Sequence, residues 1–136
     1  MPGIKVDKGL GVIENNQNGE NFTKGLEVLA AMAAKFYALG FRFAKWRAVL
    51  KIAEGCPSDE AIRVNANGLA QYALICQQNG LVPIVEPEIL PDGPHSAEHS
   101  QKITEKVLSV VFHALNTHGV FLEGCLLKPN MVTYGS

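Results

Sequence analysis

The sequence lacks the features that define several large classes of protein. Its three cysteines are odd in number and form no Cys-x-x-Cys pair, so a disulfide framework is disfavoured and reduced thiols are expected. No apolar run approaches the roughly 20 residues of a membrane span, and the N-terminus lacks the basic-then-apolar pattern of a secretory signal. A formal net charge of -1 with interspersed signs gives no basic surface for nucleic acid or membrane. We therefore expect a cytoplasmic protein that uses neither as a partner.

What the sequence does contain is the composition of one globular unit, 47% hydrophobic, with three segments of helical period. Thr23 is predicted to cap the first segment and Ser58 the second, while Gly40, Gly80 and Gly119 stand where helices end. The third segment runs from about residue 96 to 117. The predicted inward residues are Leu26, Leu29, Ala33, Phe36 and Tyr37; Ile62, Ala66, Leu69, Ala73 and Cys76; and Ile103, Val107, Val110, Ala114 and Leu115.

Apolar strands are predicted to alternate with these helices. They begin near Gly3, Phe41, Leu81 and Val120, at intervals of about 39 residues, and this order predicts parallel βα units. Eight such units would need about 310 residues, which fits a (β/α)8 TIM barrel. We therefore predict an α/β fold in which residues 1–136 form the central part, about four βα units, of such a barrel. The rival is a doubly wound sheet, but no G-x-G-x-x-G motif follows any strand.

Four parallel strands alone would leave both outer strands unpaired, and long apolar edges invite aggregation. We therefore interpret the chain as an internal piece of a larger barrel, with Met1 as a gene-model start. Taken alone, the piece is expected to self-associate and to show little activity.

Charged residues are predicted at the end of every strand, where a parallel barrel brings them to one mouth. Lys128 closes the apolar run that starts at Val120, and an amine there becomes nucleophilic when desolvation and a nearby cation lower its pKa. Lys45 is the expected cation, and Glu86 the acid and base that imine formation requires. Lys5 and Arg47 would suit a phosphate group. Asp7 and Glu88 are expected at the same mouth.

Plainer interpretations exist for each of these residues. Lys128 can be a lysine that extends from a strand end into solvent. Glu86 and Glu88 are interpreted as alternating between strand faces, with one of them solvated or orienting an ion pair, and Lys45 and Arg47 as flanking Trp46 in a cation-aromatic cluster. His95 and His99 have helical spacing but no third metal ligand, so a solvated loop is favoured. The stretch 15–20 is interpreted as a polar turn without chemistry.

Four long motifs resemble class I fructose-bisphosphate aldolase, the Schiff-base type. They are GIKVDKG (3–9), FAKWR (43–47), VPIVEPEIL (82–90) and LEGCLLKPNMV (122–132). The resemblance implies reversible cleavage of fructose 1,6-bisphosphate to dihydroxyacetone phosphate and glyceraldehyde 3-phosphate, in glycolysis and gluconeogenesis. It also implies a cytosolic homotetramer that needs no metal or other cofactor.

The resemblance carries roles over to individual residues. Lys128 matches the Schiff-base lysine, Glu86 the acid/base glutamate, and Lys45 the lysine that contacts substrate and assists proton transfer. Lys5, Arg47 and Glu88 match other residues of the charged pocket. This chain has no counterpart of the family's first strands, last strands and C-terminal tail. Many of the residues that the resemblance expects to contact the substrate phosphates are therefore missing.

Two other functions compete with this interpretation. One is another lysine-imine barrel, such as a transaldolase-like protein, against which the VEPE and LKPN runs argue. The other is a truncated, non-catalytic product that acts only by assembly with full-length subunits or by binding another protein.

Overall fold

The computed structural model describes residues 3–14, 16, 19–52, 57–91 and 97–127. Its elements are β1 Gly3–Lys5, β2 Leu10–Val12, β3 Asn21–Thr23, α1 Leu26–Ala38, β4 Phe43–Ile52, α2 Asp59–Gln78, β5 Val82–Pro91, α3 Ala97–Thr117, a 3-10 helix Leu122–Gly124 and β6 Leu126–Leu127. Four strands form one sheet in the order β1-β4-β5-β6, and every pairing in it is parallel. The predicted α/β class is confirmed, and the alternation of strand and helix is that of part of a (β/α)8 barrel.

Helix α2 begins and ends as its sequence predicts. The hydroxyl of Ser58 accepts a hydrogen bond from the backbone N–H of Ala61 at 3.1 Å, which satisfies one free donor of the first turn. Gly80 follows the helix with a positive φ of 83°, a conformation that favours glycine. All five residues predicted to face inward on this helix are buried. None of the helices in the described ranges is long and apolar enough to cross a membrane.

Trp46 and Tyr72 form the centre of the core between the sheet and α2. Their rings stack with centroids 5.4 Å apart, and Trp46 is only 1% exposed. The Tyr72 hydroxyl donates to the carbonyl oxygens of Ala44, at 2.5 Å, and Ile84, at 2.9 Å. Because these carbonyls belong to β4 and β5, one side chain of α2 joins two neighbouring strands. The helices therefore cover the sheet face that carries Trp46.

The strand bounds differ from the prediction in two places. Lys45 and Arg47 do not end a strand, because β4 continues to Ile52, and Glu86 and Glu88 likewise lie inside β5. The charges instead alternate with buried residues, a pattern of period two that one face of a strand produces.

The predicted fourth strand from Val120 was also wrong in its extent. Before β6 the chain forms the 3-10 helix. The side-chain amide of Gln77 makes hydrogen bonds to both the N–H and the carbonyl of Phe121. Gln77 Nε2 donates to the Phe121 carbonyl at 2.7 Å, and the Phe121 N–H donates to Gln77 Oε1 at 2.9 Å. These groups are therefore not free to pair with β5, and the strand starts only at Leu126.

The residues on either side of the predicted polar turn, 10–12 and 21–23, pair as an antiparallel hairpin. Strand β2 pairs with β3 in the register Leu10 with Thr23 and Val12 with Asn21. Thr23 does not cap α1, whose N-cap is Gly25 and receives no side-chain hydrogen bond. Each strand of this hairpin is only three residues long, which is too short for a strand to be recognised from its sequence pattern.

Candidate active site

The parallel register brings the charged residues of three strands onto one face of the sheet. Lys5 of β1 lies level with Lys45 of β4, and Arg47 lies level with Glu86 of β5. Glu88 follows two residues after Glu86, so it projects to the same side. This face is opposite the one that packs on α2. We call these five residues, with Asp7, the charged face.

Ion pairs connect the cations of the charged face to its acids. Each pair joins a cation to an acid that lies further along the strand direction, so the charges form a diagonal pattern. The pairs are Lys5 Nζ to Asp7 Oδ1 at 3.5 Å, Lys45 Nζ to Glu86 Oε2 at 3.5 Å, and Arg47 Nη1 to Glu88 Oε2 at 3.1 Å. Three positive and three negative groups balance one another, so an anionic ligand must compete with carboxylates for these cations.

The acids of the charged face lie deeper than the cations. Glu86 is 7% exposed, whereas the side chains of Lys45 and Arg47 are 44% and 46% exposed. Asp7 is also nearly buried; its Oδ1 accepts a hydrogen bond from the N–H of Gly9. A buried carboxyl next to an amine is suited to proton transfer, because little solvent separates donor from acceptor. The half-exposed cations remain accessible to a ligand that enters from solvent.

The structure therefore brings together five of the six predicted site residues: Lys5, Lys45, Arg47, Glu86 and Glu88. The sixth, Lys128, lies outside the described residues. The last described pairing of β6 is that of Leu127 with Val85, the residue before Glu86. The expectation that Lys45 is the cation beside Lys128 therefore stays a prediction, and the ion-pair partner that the structure describes for Lys45 is Glu86.

Two plainer interpretations were wrong. Glu86 and Glu88 do not alternate between faces, because residues two apart in a strand point the same way and both of these lie near cations of β4. Trp46 does not form a cluster with its charged neighbours, since its ring is buried against Tyr72 on the opposite face.

Burial disfavours the thiolate form of the two cysteines that the structure describes. Burial, with a smaller contribution from Cys125, raises the pKa of Cys76 to about 12, so this thiol stays protonated at neutral pH. Burial also raises the pKa of Cys125. Both cysteines are free, as expected, while Cys56 lies outside the described residues.

No group of three metal-ligating side chains occurs within the part of the chain that the structure describes. His95, one of the two histidines with helical spacing, lies outside that part, as does the side chain of His99.

Three residues make long-range hydrogen bonds that were not predicted from the sequence. Glu20 accepts hydrogen bonds from the N–H and hydroxyl of Ser58 at 2.9 and 2.6 Å, Thr23 binds the backbone of β4, and Gln77 holds the segment before β6. Each partner lies 24 to 44 residues away along the chain. Local sequence patterns carry no signal for contacts of that separation.

Known proteins that are similar to this chain are fructose-bisphosphate aldolases. The sequence model of the class-I fructose-bisphosphate aldolase family matches residues 1–136. The chain is 59% identical to cytosolic fructose-bisphosphate aldolase 5 of Arabidopsis thaliana over 136 residues, which are 100% of this chain and 38% of the relative. It is 60% identical to the aldolase of Dictyostelium discoideum, covering 98% of this chain and 38% of the relative.

A solved structure is similar over almost the same extent. It is the fructose-bisphosphate aldolase of Plasmodium falciparum in complex with TRAP and a small-molecule inhibitor, with 59% identity and a TM-score of 0.96. The match covers 99% of this chain and 39% of that one. The chain therefore belongs to the class-I fructose-bisphosphate aldolase family. It spans little more than a third of the length of these relatives.

Proposed function

We propose that the chain supplies the catalytic centre of an enzyme that reversibly cleaves fructose 1,6-bisphosphate to dihydroxyacetone phosphate and glyceraldehyde 3-phosphate. The observation that carries this proposal is the buried carboxyl of Glu86 within 3.5 Å of the Lys45 amine, on a face with two further cations. A sugar bisphosphate needs positive charge for its phosphates and an acid/base group near its carbonyl, and the charged face offers both.

In the proposed mechanism the unprotonated amine of Lys128 adds to the ketone carbon of the substrate. A proton passes from the attacking nitrogen to the ketone oxygen and gives a carbinolamine, and a second proton lets that oxygen leave as water, so that a protonated imine forms. Glu86 is the group proposed to give and take these protons, and Lys45 assists it through their ion pair.

Cleavage then begins with removal of the proton from the hydroxyl two carbons from the imine. That oxygen becomes the carbonyl of glyceraldehyde 3-phosphate as the carbon–carbon bond breaks, and the bonding electrons pass into the protonated imine to form an enamine. Protonation of the enamine carbon and addition of water release dihydroxyacetone phosphate and regenerate the amine. The protonated imine accepts the electron pair, so this route requires no metal cofactor.

Arg47 and Lys5 are proposed to contact the substrate phosphates, with Glu88 holding Arg47 until substrate arrives. A guanidinium offers parallel donors to a phosphate, which can replace the single carboxylate contact seen at 3.1 Å. We also propose a homotetramer in the cytoplasm for the whole protein; two of the similar relatives are named cytosolic.

The test uses a chimera in which these 136 residues replace the matched segment of the Dictyostelium discoideum aldolase. We expect the folded chimera to cleave fructose 1,6-bisphosphate and its Lys128→Arg variant to lose that activity, because a guanidinium stays protonated and cannot attack a carbonyl. Lys35→Arg, in the exposed part of α1, is the matched control and should keep it. A chimera with native-like melting but no turnover would contradict the proposal and favour a non-catalytic, assembly-only role.

A further inference from the structure

The pairing between β1 and β4 stops short of Arg47. The last bond of this ladder runs from the N–H of Val6 to the carbonyl of Lys45, at 3.0 Å. In a parallel register the next donor would be the N–H of Lys8, which instead donates to the carbonyl of Lys24 at 2.8 Å. Strand β1 therefore provides no hydrogen bond to the carbonyl of Arg47, although that residue belongs to the charged face.

A side chain takes the place of the missing strand donor. The hydroxyl of Thr23, at the end of the hairpin, donates to the carbonyl oxygen of Arg47 at 2.7 Å. Thr23 is 8% exposed, so water has little access to compete for this bond. A buried carbonyl without a donor would carry a desolvation cost, so the hydroxyl fixes the backbone of β4 at this point.

The hairpin that carries Thr23 is itself held on two sides. Asn65 of α2 donates from its side-chain amide to the carbonyl of Asn21 at 2.8 Å. On the other side, the backbone of Lys24 pairs with the segment after β1: its carbonyl accepts from the N–H of Lys8 at 2.8 Å, and its N–H donates to the carbonyl of Gly9 at 2.8 Å. The hydroxyl of Thr23 is therefore placed by fixed neighbours on α2 and on the segment after β1.

We propose that Thr23 is a positioning residue for substrate binding: its hydroxyl replaces the strand donor that β1 does not supply and so holds Arg47 in place on the charged face. The position of the Arg47 backbone determines where its side chain can place the guanidinium. In the structure Arg47 Nη1 lies 3.1 Å from Glu88 Oε2. The substrate in this inference, a sugar phosphate, rests on the proposed function. The contact between Thr23 and the backbone of Arg47 does not depend on it.

The test compares two substitutions of Thr23 in the chimera defined above. Thr23→Val keeps the shape of the side chain and removes the donor, whereas Thr23→Ser keeps the donor and removes a methyl group. Both should lower the melting temperature by a comparable amount, since each loses one buried interaction. Only Thr23→Val should raise KM for fructose 1,6-bisphosphate, by roughly ten-fold with a smaller change in kcat, because it misplaces a binding group.

A double-mutant cycle separates positioning of Arg47 from a general loss of stability. In an Arg47→Ala background, Thr23→Val should raise KM no further, because the group that it positions is already gone. An equal rise of KM in both backgrounds, or an equal rise in the Val and Ser variants, would overturn the inference.

A crystal structure of the Thr23→Val chimera tests the geometry without any assay. We expect Arg47 Nη1 and Glu88 Oε2 to separate beyond the roughly 4 Å of an ion pair. If the pair stays near 3.1 Å, the positioning role is wrong whether or not the chimera is an aldolase. If the pair separates in the variant and the parent chimera is also inactive, the proposed function fails while the positioning role stands.

Discussion

The two faces of the four-stranded sheet are built from alternate residues of the same strands and differ in almost every property. One face presents Ala44, Trp46 and Val85, all at most 1% exposed and packed against helices. The other presents Lys45 and Glu86, which form an ion pair at 3.5 Å. The period of two along a strand allows one segment of chain to provide both faces.

This difference separates the residues that hold the fold from those that we propose to carry the chemistry. On the helix-covered face a side chain contributes through buried apolar area and tight packing, so its loss lowers the free energy of unfolding. On the charged face the ion pairs are partly solvated and add little to stability, so we expect their positions to matter mainly for the proposed binding of substrate. Substitutions at neighbouring positions of one strand should therefore have opposite consequences.

The largest effect is expected on the charged face, for Glu86→Gln in the chimera. The amide keeps the shape of the side chain but cannot act as a general acid or base, so kcat should fall by roughly two to four decades while KM changes less. Steady-state kinetics measure this, with the exposed Glu105→Gln as control. Activity within a few-fold of the parent would make Glu86 a structural residue and would remove the functional contrast between the faces.

The next effect is expected on the helix-covered face, for Trp46→Ala. Removal of the buried indole, which stacks on Tyr72, should lower the free energy of unfolding by about 3–5 kcal/mol. Arg47→Ala, one residue later on the other face, should cost less than about 1 kcal/mol, because its ion pair is half exposed. Urea denaturation of both chimeras measures the difference. Similar costs at the two positions would contradict the separation of roles.

Tyr72→Phe should have a smaller effect on the same covered face. The ring and its stacking remain, but the carbonyls of Ala44 and Ile84 lose their shared donor, at a cost of about 1–2 kcal/mol. Tyr37→Phe, with a ring that is 42% exposed, is the matched control and should be nearly neutral. A free energy of unfolding equal to that of the parent would show that these two hydrogen bonds do not stabilise the pairing of β4 with β5.

The smallest effect is expected outside the sheet, at the ion pair between Lys106 of α3 and Asp59 of α2, 2.6 Å apart. The hydrogen bond and charge of Lys106 lower the pKa of Asp59 below its ordinary value of 3.8. A carboxyl whose pKa is lower in the folded than in the unfolded state stabilises the fold at every pH above its unfolded-state pKa. That contribution disappears as the pH falls through the folded-state pKa.

Lys106→Met should therefore lower the melting temperature slightly at neutral pH, and its difference from the parent should vanish once the pH lies below the folded pKa. Lys35→Met, on α1, provides the control for loss of a surface charge. A difference that persists unchanged in acid would show that Lys106 acts through packing and not through Asp59.

The positions of the helices could be predicted from the sequence, because their apolar residues recur with the helical period, which few other structures produce. Every predicted inward residue of α2 is buried, and Ser58 and Gly80 mark its ends. In α1 the same pattern was less accurate: Tyr37 was expected inside but is 42% exposed, since its ring instead lies under the guanidinium of Arg42.

The strands and the support of the site were harder to predict, since a charge inside a strand resembles the end of one. Lys45 and Glu86 lie within ten-residue strands because their charges point away from the packed face. The motifs were enough to bring the charged residues together, but not to find the hydrogen bond from Thr23 to Arg47. That contact depends on where β1 leaves the sheet, which no local pattern of residues reports.

The most direct test of the central claim, that the charged face serves a lysine imine, is borohydride trapping of the chimera with dihydroxyacetone phosphate. Reduction converts the imine to a stable secondary amine, and peptide mapping by mass spectrometry then identifies the labelled lysine. We expect one label, on Lys128, in the parent chimera and in Thr23→Val, and none in Lys128→Arg. A label on Lys45 or Lys5, or undiminished labelling of Lys128→Arg, would contradict the account, because the nucleophile would then lie elsewhere.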